Sequence, residues 1–200
     1  MDLSDKALAT RERILDAGME LFHLHGYNAT GLDKVIKKAG ITKGNFYYHF
    51  KSKEALALAT LDWQFEAVQK EMKAQVFDKK EKPLKTLFSV LEMMASKQKE
   101  QYQHGHVRGC YFGNFTLELS TTSQAIRDKV KSIFQQYADL IESLLIMARD
   151  TGEISKQIDP AQLSLVILGQ LEGAILLDKA NQEPQNVDSS IAFIKQFLLA

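Results

Sequence analysis

Apolar residues recur three and four positions apart along most of the chain, and glycines, prolines and polar clusters interrupt the recurrence at intervals. That spacing predicts an all-α protein of nine helices. In residues 5 to 25, Leu8, Ile14, Leu15, Gly18, Leu21 and Phe22 make one stripe and Gly26 stops it. Leu32, Val35, Ile36 and Ala39 form the apolar face of a second, short helix, which Gly40 ends because glycine takes the left-handed conformation without a Cβ clash. Ile41 plugs the turn, and Thr42 caps a third helix over residues 43 to 50, in which Phe46 and Phe50, four apart, pack inward. Ser52 caps a fourth helix running to about residue 77, with Leu56, Leu61, Trp63, Phe65, Val68 and Met72 spread around it. A charged run at 78 to 82 and Pro83 break the chain there, and proline suits the first turn of a new helix. Five further helices are predicted near residues 83–103, 108–120, 123–151, 160–180 and 187–199. The pattern divides the chain into a three-helix head, residues 1–52, and a helical body, residues 53–200, which opens with a linker helix. So small a head has a marginal core and depends on docking to that helix.

The helix from Pro160 is apolar on nearly every face, so it must be covered on all sides. Ser164, Gln170 and Glu172 interrupt it and argue against a membrane span. A second copy of the chain is the better cover. Gly169 and Gly173 allow two backbones to approach, and Val166, Leu171 and Leu177 with Ile194 and Phe197 of the last helix would complete a four-helix homodimer interface.

Composition narrows the function. The chain is 45% hydrophobic with three prolines, as a packed helical protein should be, and its formal net charge is zero. One cysteine excludes a disulfide framework and a zinc-finger head. The polar start at residues 1 to 5 is not an export signal, which points to the cytoplasm. No glycine-rich phosphate loop or nucleophile elbow suggests an enzyme, and no cofactor is expected.

Charge is local instead. Residues 32 to 53 carry six lysines and no acid after Asp33, in two short helices joined by a tight turn. That is a helix-turn-helix suited to a phosphate backbone. Lys43 can donate to guanine O6 and N7, Asn45 can pair with adenine N6 and N7, and Gly44 lets the backbone come close to DNA. Tyr47, His49 and Lys53 are the expected phosphate clamps, while Tyr48 can meet either a thymine methyl or the sugar backbone.

Gly26-Tyr27, the run ITKGNFYYHF at residues 41 to 50, and Lys53-Glu54 resemble the DNA-binding head of the TetR family of one-component repressors. The resemblance covers residues 7 to 60 closely and the remainder in helical layout. It implies a TetR-like fold, the same homodimer and a small-molecule or electrophile effector; two heads related by a two-fold axis would read a palindromic double-stranded operator, and the helix from residue 53, directly after the recognition helix, is the natural lever by which an effector would release DNA. One departure is Gly31, where many members have Thr or Ser; glycine can cap a helix, but any phosphate contact must come from its backbone N–H.

Residues 104 to 119, HGHVRGCYFGNFTLEL, are the chemically distinctive part of the body. Cys110 is expected early in a helix, with Arg108, His104 and His106 just before it. A helix N-terminus and nearby cations favour thiolate, whereas a free cysteine is otherwise a small buried apolar residue, and both readings stand. His104, His106 and Cys110 have ligand chemistry for zinc or copper, but His-x-His beside glycines is ordinary loop chemistry, and no metal is expected. Tyr102, Tyr111, Phe112, Phe115, Tyr137, Met93, Met94 and Met147 either line an apolar effector pocket or form core. The Gly-Cys-x-x-Gly-Asn-x-x-x-Glu-Leu pattern resembles the electrophile-sensing branch of the TetR family, which includes the N-ethylmaleimide-responsive repressor. That resemblance implies a sensor role for Cys110, with Lys179 as a partner of its thiolate.

Overall fold

Local caps set most element ends. Thr42 Oγ1 accepts from Asn45 N at 3.2 Å, Ser52 Oγ from Ala55 N at 3.0 Å, and Gly40 takes φ 63° at the end of its helix. In the computed structural model, which describes residues 5–199, the helices are α1 Asp5–His25, α2 Leu32–Ala39, α3 Lys43–His49, α4 Lys53–Gln75, α5 Pro83–Gln103, α6 Tyr111–Leu119, α7 Gln124–Asp150, α8 Pro160–Asn181 and α9 Asn186–Leu199. Among the described residues the other regular element is a single 3-10 turn at Phe77–Lys79. Residues 1–4, on which the expectation about export largely rests, lie outside the described residues.

The chain forms two compact units. One holds residues up to Val68 together with Tyr111–Lys131, so most of α4 and all of α6 belong with the head helices. Gly18 permits this packing: a Cβ there would stand 3.0 Å from Leu56 Cδ2 and 3.3 Å from Thr60 Cγ2. Ile14, Leu15, Phe22, Val35, Phe46, Leu56 and Leu61 are buried, and Phe115 of α6 meets Phe22 edge-on at 5.9 Å. Tyr111 donates to Thr60 Oγ1 at 2.9 Å, and Trp63 Nε1 donates to Asp16 Oδ1 at 3.0 Å. Leu8 departs from the predicted stripe, being 46% exposed near the start of α1.

The other unit comprises Gln69–Cys110 and the residues from Ser132 onward. Here α8 is buried on one face through Ile167, Leu168, Leu171, Ala174 and Ile175, and α9 through Ile191, Ile194 and Leu198. Leu171 and Ile194, expected at a subunit interface, therefore lie in the core of the chain itself: they share helical faces with Ile167 and Ile175, and with Ile191 and Leu198. Leu165, Val166, Leu176 and Leu177 of α8 and Phe193 and Phe197 of α9 remain exposed, with Gly169 and Gly173 among them.

Asp178 fixes the α8–α9 corner. It is fully buried and accepts from Gln185 N at 3.1 Å, Asn186 N at 2.6 Å, Asn186 Nδ2 at 2.8 Å and Val187 N at 3.3 Å. A carboxylate in the last turn of α8 opposes that helix's own dipole, but it satisfies the first donors of α9 and sits at the positive end of α9. Asp178→Ala should lower the unfolding free energy by about 3 kcal/mol, since the buried donors lose a charged acceptor, and Asp178→Asn by less. Urea denaturation monitored by circular dichroism checks this, and wild-type midpoints for both variants would remove the corner from the stability argument.

Candidate DNA interface and sensor cluster

The turn between α2 and α3 is closed by Gly40 N donating to Lys37 O at 3.2 Å and Ile41 N to Ile36 O at 3.2 Å, which satisfies the last carbonyls of α2. Phe46 and Phe50 are buried with ring centroids 5.9 Å apart. Their burial turns the opposite side of α3 outward: Lys43, Gly44, Asn45, Tyr47 and Tyr48 are exposed, as is Thr42, and His49 is half-buried. Gly44 has a negative φ, and the nearest atom to a Cβ added there is Thr42 Oγ1 at 3.9 Å. Gly31, the N-cap of α2, makes no side-chain cap bond and is likewise sterically open.

Not all the lysines are free charges. Lys38 pairs with Glu20 at 2.8 Å, and Lys53 Nζ sits 4.0 Å from the centre of the Tyr27 ring. Burial lowers the Lys53 pKa, an effect partly offset by Glu118. Lys34, Lys37, Lys43 and Lys51 are exposed. Burial, and then the charge of Arg11, lowers the His49 pKa, so its imidazole is neutral near pH 7 and offers a ring N–H rather than a full charge. Arg11, which sequence reasoning passed over, lies 5.2 Å from the centre of the Phe50 ring.

A second missed residue is Glu118 at the end of α6. Its Oε1 accepts from Tyr27 N at 3.0 Å and its Oε2 from Asn28 N at 2.9 Å, so it holds the turn that leads into α2. Gly26, at φ 83°, makes room for it; a Cβ there would stand 2.6 Å from Glu118 Oε1.

In the body, Cys110 lies just before α6 rather than inside it. Gly109 takes φ 79°, and the preceding backbone is engaged by glutamine side chains instead of helical partners. Gln182 accepts from Val107 N at 3.2 Å and donates to Val107 O at 3.0 Å, while Gln101 accepts from Arg108 N at 2.7 Å and donates to Gly109 O at 3.4 Å. The cysteine thus hangs from a short strap between α5 and the end of α8.

The half-buried Cys110 thiol is hydrogen-bonded to the carboxyl of Glu172 on α8. Burial raises the Glu172 pKa, and that hydrogen bond partly counteracts the rise. Burial also raises the pKa of Tyr137 on α7, with further increases from the charges of Cys110 and Glu172, so the phenol keeps its proton at neutral pH. Glu172 had shown in the sequence only as an interruption of an apolar helix. An acid on a face otherwise made of leucine and isoleucine was the one available signal.

The other expected effector residues divide between the two units. Arg108 and Lys179 are half-buried in the same unit as Cys110, and the Lys179 carbonyl accepts from Gln182 Nε2 at 2.7 Å. Tyr111 and Phe115 belong to the aromatic core of the first unit, with ring centroids 5.1 Å apart. Burial raises the Tyr111 pKa, and the bond to Thr60 partly offsets it. Tyr102 and Met147 are exposed. His104 and His106 are exposed, and among the described residues no group of three or more His, Cys, Asp or Glu is arranged to hold a metal.

Residues 14–60 match the family described as bacterial regulatory proteins, tetR family, and residues 83–194 match the tetracyclin repressor-like C-terminal domain. The HTH-type transcriptional repressor DhaR of Mycobacterium sp. (strain GP1) is 26% identical over 189 residues, covering 94% of this chain and 92% of that protein. The HTH-type transcriptional repressor NemR of Escherichia coli (strain K12) is 25% identical over 193 residues, covering 94% of each. A crystal structure of a TetR transcriptional regulator from Chloroflexus aurantiacus superimposes with a TM-score of 0.86 at 26% identity, covering 97% of this chain and 96% of that one. With a capped helix-turn-helix at one end of an all-helical chain and both family domains matched in order, this protein belongs to the TetR family of DNA-binding transcriptional regulators.

Proposed function

We propose that the protein is a cytoplasmic, effector-responsive repressor that binds a palindromic operator as a homodimer, with residues 1–52 reading DNA and residues 53–200 serving effector binding and dimerisation. The observation that carries this reading is the outer side of α3, where Lys43, Asn45, Tyr47 and Tyr48 stand exposed over the buried Phe46 and Phe50. Lys43 and Asn45 read base edges, and Thr42 caps the helix that presents them. Gly44 is required by nothing inside the chain, which suits close approach to a partner outside it. Tyr47, neutral His49 and the Gly31 backbone N–H hold phosphates, with Tyr48 along the backbone or on a thymine methyl. Lys53 adds positive charge from its place on Tyr27.

The exposed apolar strip of Val166, Gly169, Gly173 and Leu177 with Phe197 is the proposed dimer surface, since so much contiguous apolar area is rarely left in water. Dimerisation sets two heads against two half-sites about one helical turn apart. An effector shifts the equilibrium only through unequal affinity for the DNA-bound and DNA-free forms. Cys110 immediately precedes α6, and the far end of α6 holds the Tyr27–Asn28 turn through Glu118. Modification of Cys110, with Lys179, Arg108, Tyr137, Tyr111 and Phe115 as further effector-responsive positions, releases DNA by displacing α6 and the start of α4.

Binding to a randomised duplex library, titrated with salt, tests the DNA reading. Lys43→Ala and Asn45→Ala should each lose about 1–3 kcal/mol of discrimination at particular base positions, while Tyr47→Ala weakens binding to all sequences alike. A library that yields no preferred site would overturn it. For the dimer, sedimentation of Val166→Glu and Phe197→Asp should show folded monomers, in contrast to Leu171→Glu, which should fail to fold because that position is core. A wild-type chain that sediments as a monomer at micromolar concentration would sink the interface. Treatment with a maleimide should abolish operator binding in the wild type and spare Cys110→Ser; equal loss in both would remove Cys110 from signalling.

A further inference from the structure

Helix α1 brings to the recognition helix a charge that the helix-turn-helix itself does not contain. The Arg11 guanidinium carbon stands 5.2 Å from the centre of the Phe50 ring, and Phe50 is the C-cap of α3 and 4% exposed. The Arg11 charge is also felt at His49, the last residue of α3, where it adds to burial in lowering the imidazole pKa. Lys51, which follows Phe50 in the chain, is exposed. Arg11, His49 and Lys51 thus gather at the end of α3.

The fold makes no use of the Arg11 donors. The side chains one turn away along α1 are Ala7, Leu8, Ile14 and Leu15, none of them an acceptor. Two acids of α1 are engaged elsewhere: Asp16 accepts from Trp63, and Glu20 pairs with Lys38. Among the described residues no carboxylate forms an ion pair with Arg11 and no group accepts a hydrogen bond from its guanidinium, whereas Arg13 Nη2 donates to Thr10 Oγ1 at 3.5 Å. Attraction to an aromatic ring uses the charge of a guanidinium and not its N–H groups, and those form a fork that fits two phosphate oxygens.

We propose that Arg11 is a further DNA-backbone contact, a guanidinium that α1 places beside His49 to hold a phosphate at the C-terminal edge of α3. The assignment rests on the reading of α3 as the recognition helix and extends its phosphate-binding edge beyond the helix-turn-helix. A phosphate diester carries no sequence information, so Arg11 adds affinity for any duplex and no base preference. Its place on Phe50 restricts the side chain before DNA arrives, which reduces the ordering cost of the contact. The same position would suit a cation that only steadies the end of α3, where the last carbonyls carry partial negative charge. Salt separates the two roles, because a phosphate contact displaces counterions from DNA and an internal contact does not.

The probes are the duplex selected from the randomised library and a mixed-sequence duplex, with binding to the full-length protein followed by fluorescence anisotropy over a range of potassium chloride concentrations. Arg11→Gln should flatten the slope of log K against log salt by about 0.9 for each subunit bound, on both duplexes, and leave the preference between them unchanged. Arg11→Lys should keep the wild-type slope, because the charge is retained. Lys156→Ala, which removes an exposed charge from the loop before α8, should keep it as well. Weaker binding of Arg11→Gln at every salt concentration with the wild-type slope would overturn the assignment, leaving Arg11 as a support for α3. Equal flattening in Lys156→Ala would also overturn it, since the slope would then report net charge alone. Should Arg11→Gln fail to fold, the NMR signal of the Arg11 Nε–H group in the wild-type protein decides: it should shift when the mixed-sequence duplex is added, and an unmoved signal ends the assignment. A wild-type chain that binds no duplex ends the DNA reading and Arg11 with it, whereas DNA binding with an unaltered slope in Arg11→Gln ends this assignment alone.

Discussion

The Glu118 carboxylate ties the turn entering the helix-turn-helix to a helix some 90 residues further along the chain. Its two oxygens take the N–H groups of Tyr27 and Asn28, which follow the glycine that ends α1 and so lack helical partners. Charge-assisted bonds of this kind are stronger than neutral ones. The direction in which α2 departs, and with it the presentation of α3, depends on this contact.

That dependence is larger than it would be in a bigger domain. With eight residues in α2 and seven in α3, neither helix would persist alone in water. They are held by burying Val35, Ala39, Phe46 and Phe50 in a unit completed by α4 and α6, which is why compactness does not follow the boundary after residue 52. A recognition surface built on so short a helix inherits its precision from the elements beneath it.

Electrostatics are equally local. In a chain of zero net charge, a few lysines of the helix-turn-helix stand exposed, while others make contacts within the chain: Lys38 with Glu20, Lys53 with Tyr27. Beside Cys110 the neighbour that sequence reasoning did not supply is a half-buried acid, Glu172. Asp178, one and a half turns further along α8, illustrates the alternative use of a buried carboxylate, in which four donors satisfy it and the role is architectural.

Properties set by near neighbours were legible in the chain. Thr42, Ser52, Gly26, Gly40 and Pro83 act on backbone groups a few residues away, so their roles follow from local order alone, as do the inward Phe46 and Phe50 and the outward Lys43, Asn45 and Tyr47. The motif around α3 was enough to indicate the family. Which apolar face of α8 is core was not legible, because leucine and isoleucine lie all around it; only packing against the rest of the chain put Leu171 and Ile194 inside and left Val166 and Phe197 outside. Nor could spacing show that Cys110 stops short of its helix, since that depends on glutamines from α5 and the end of α8 reaching the strap. Glu118 with Tyr27, and Glu172 with Cys110, are pairs whose partners lie far apart in the chain. Periodicity assigns each residue a face of its own helix, but tertiary packing alone decides what that face meets.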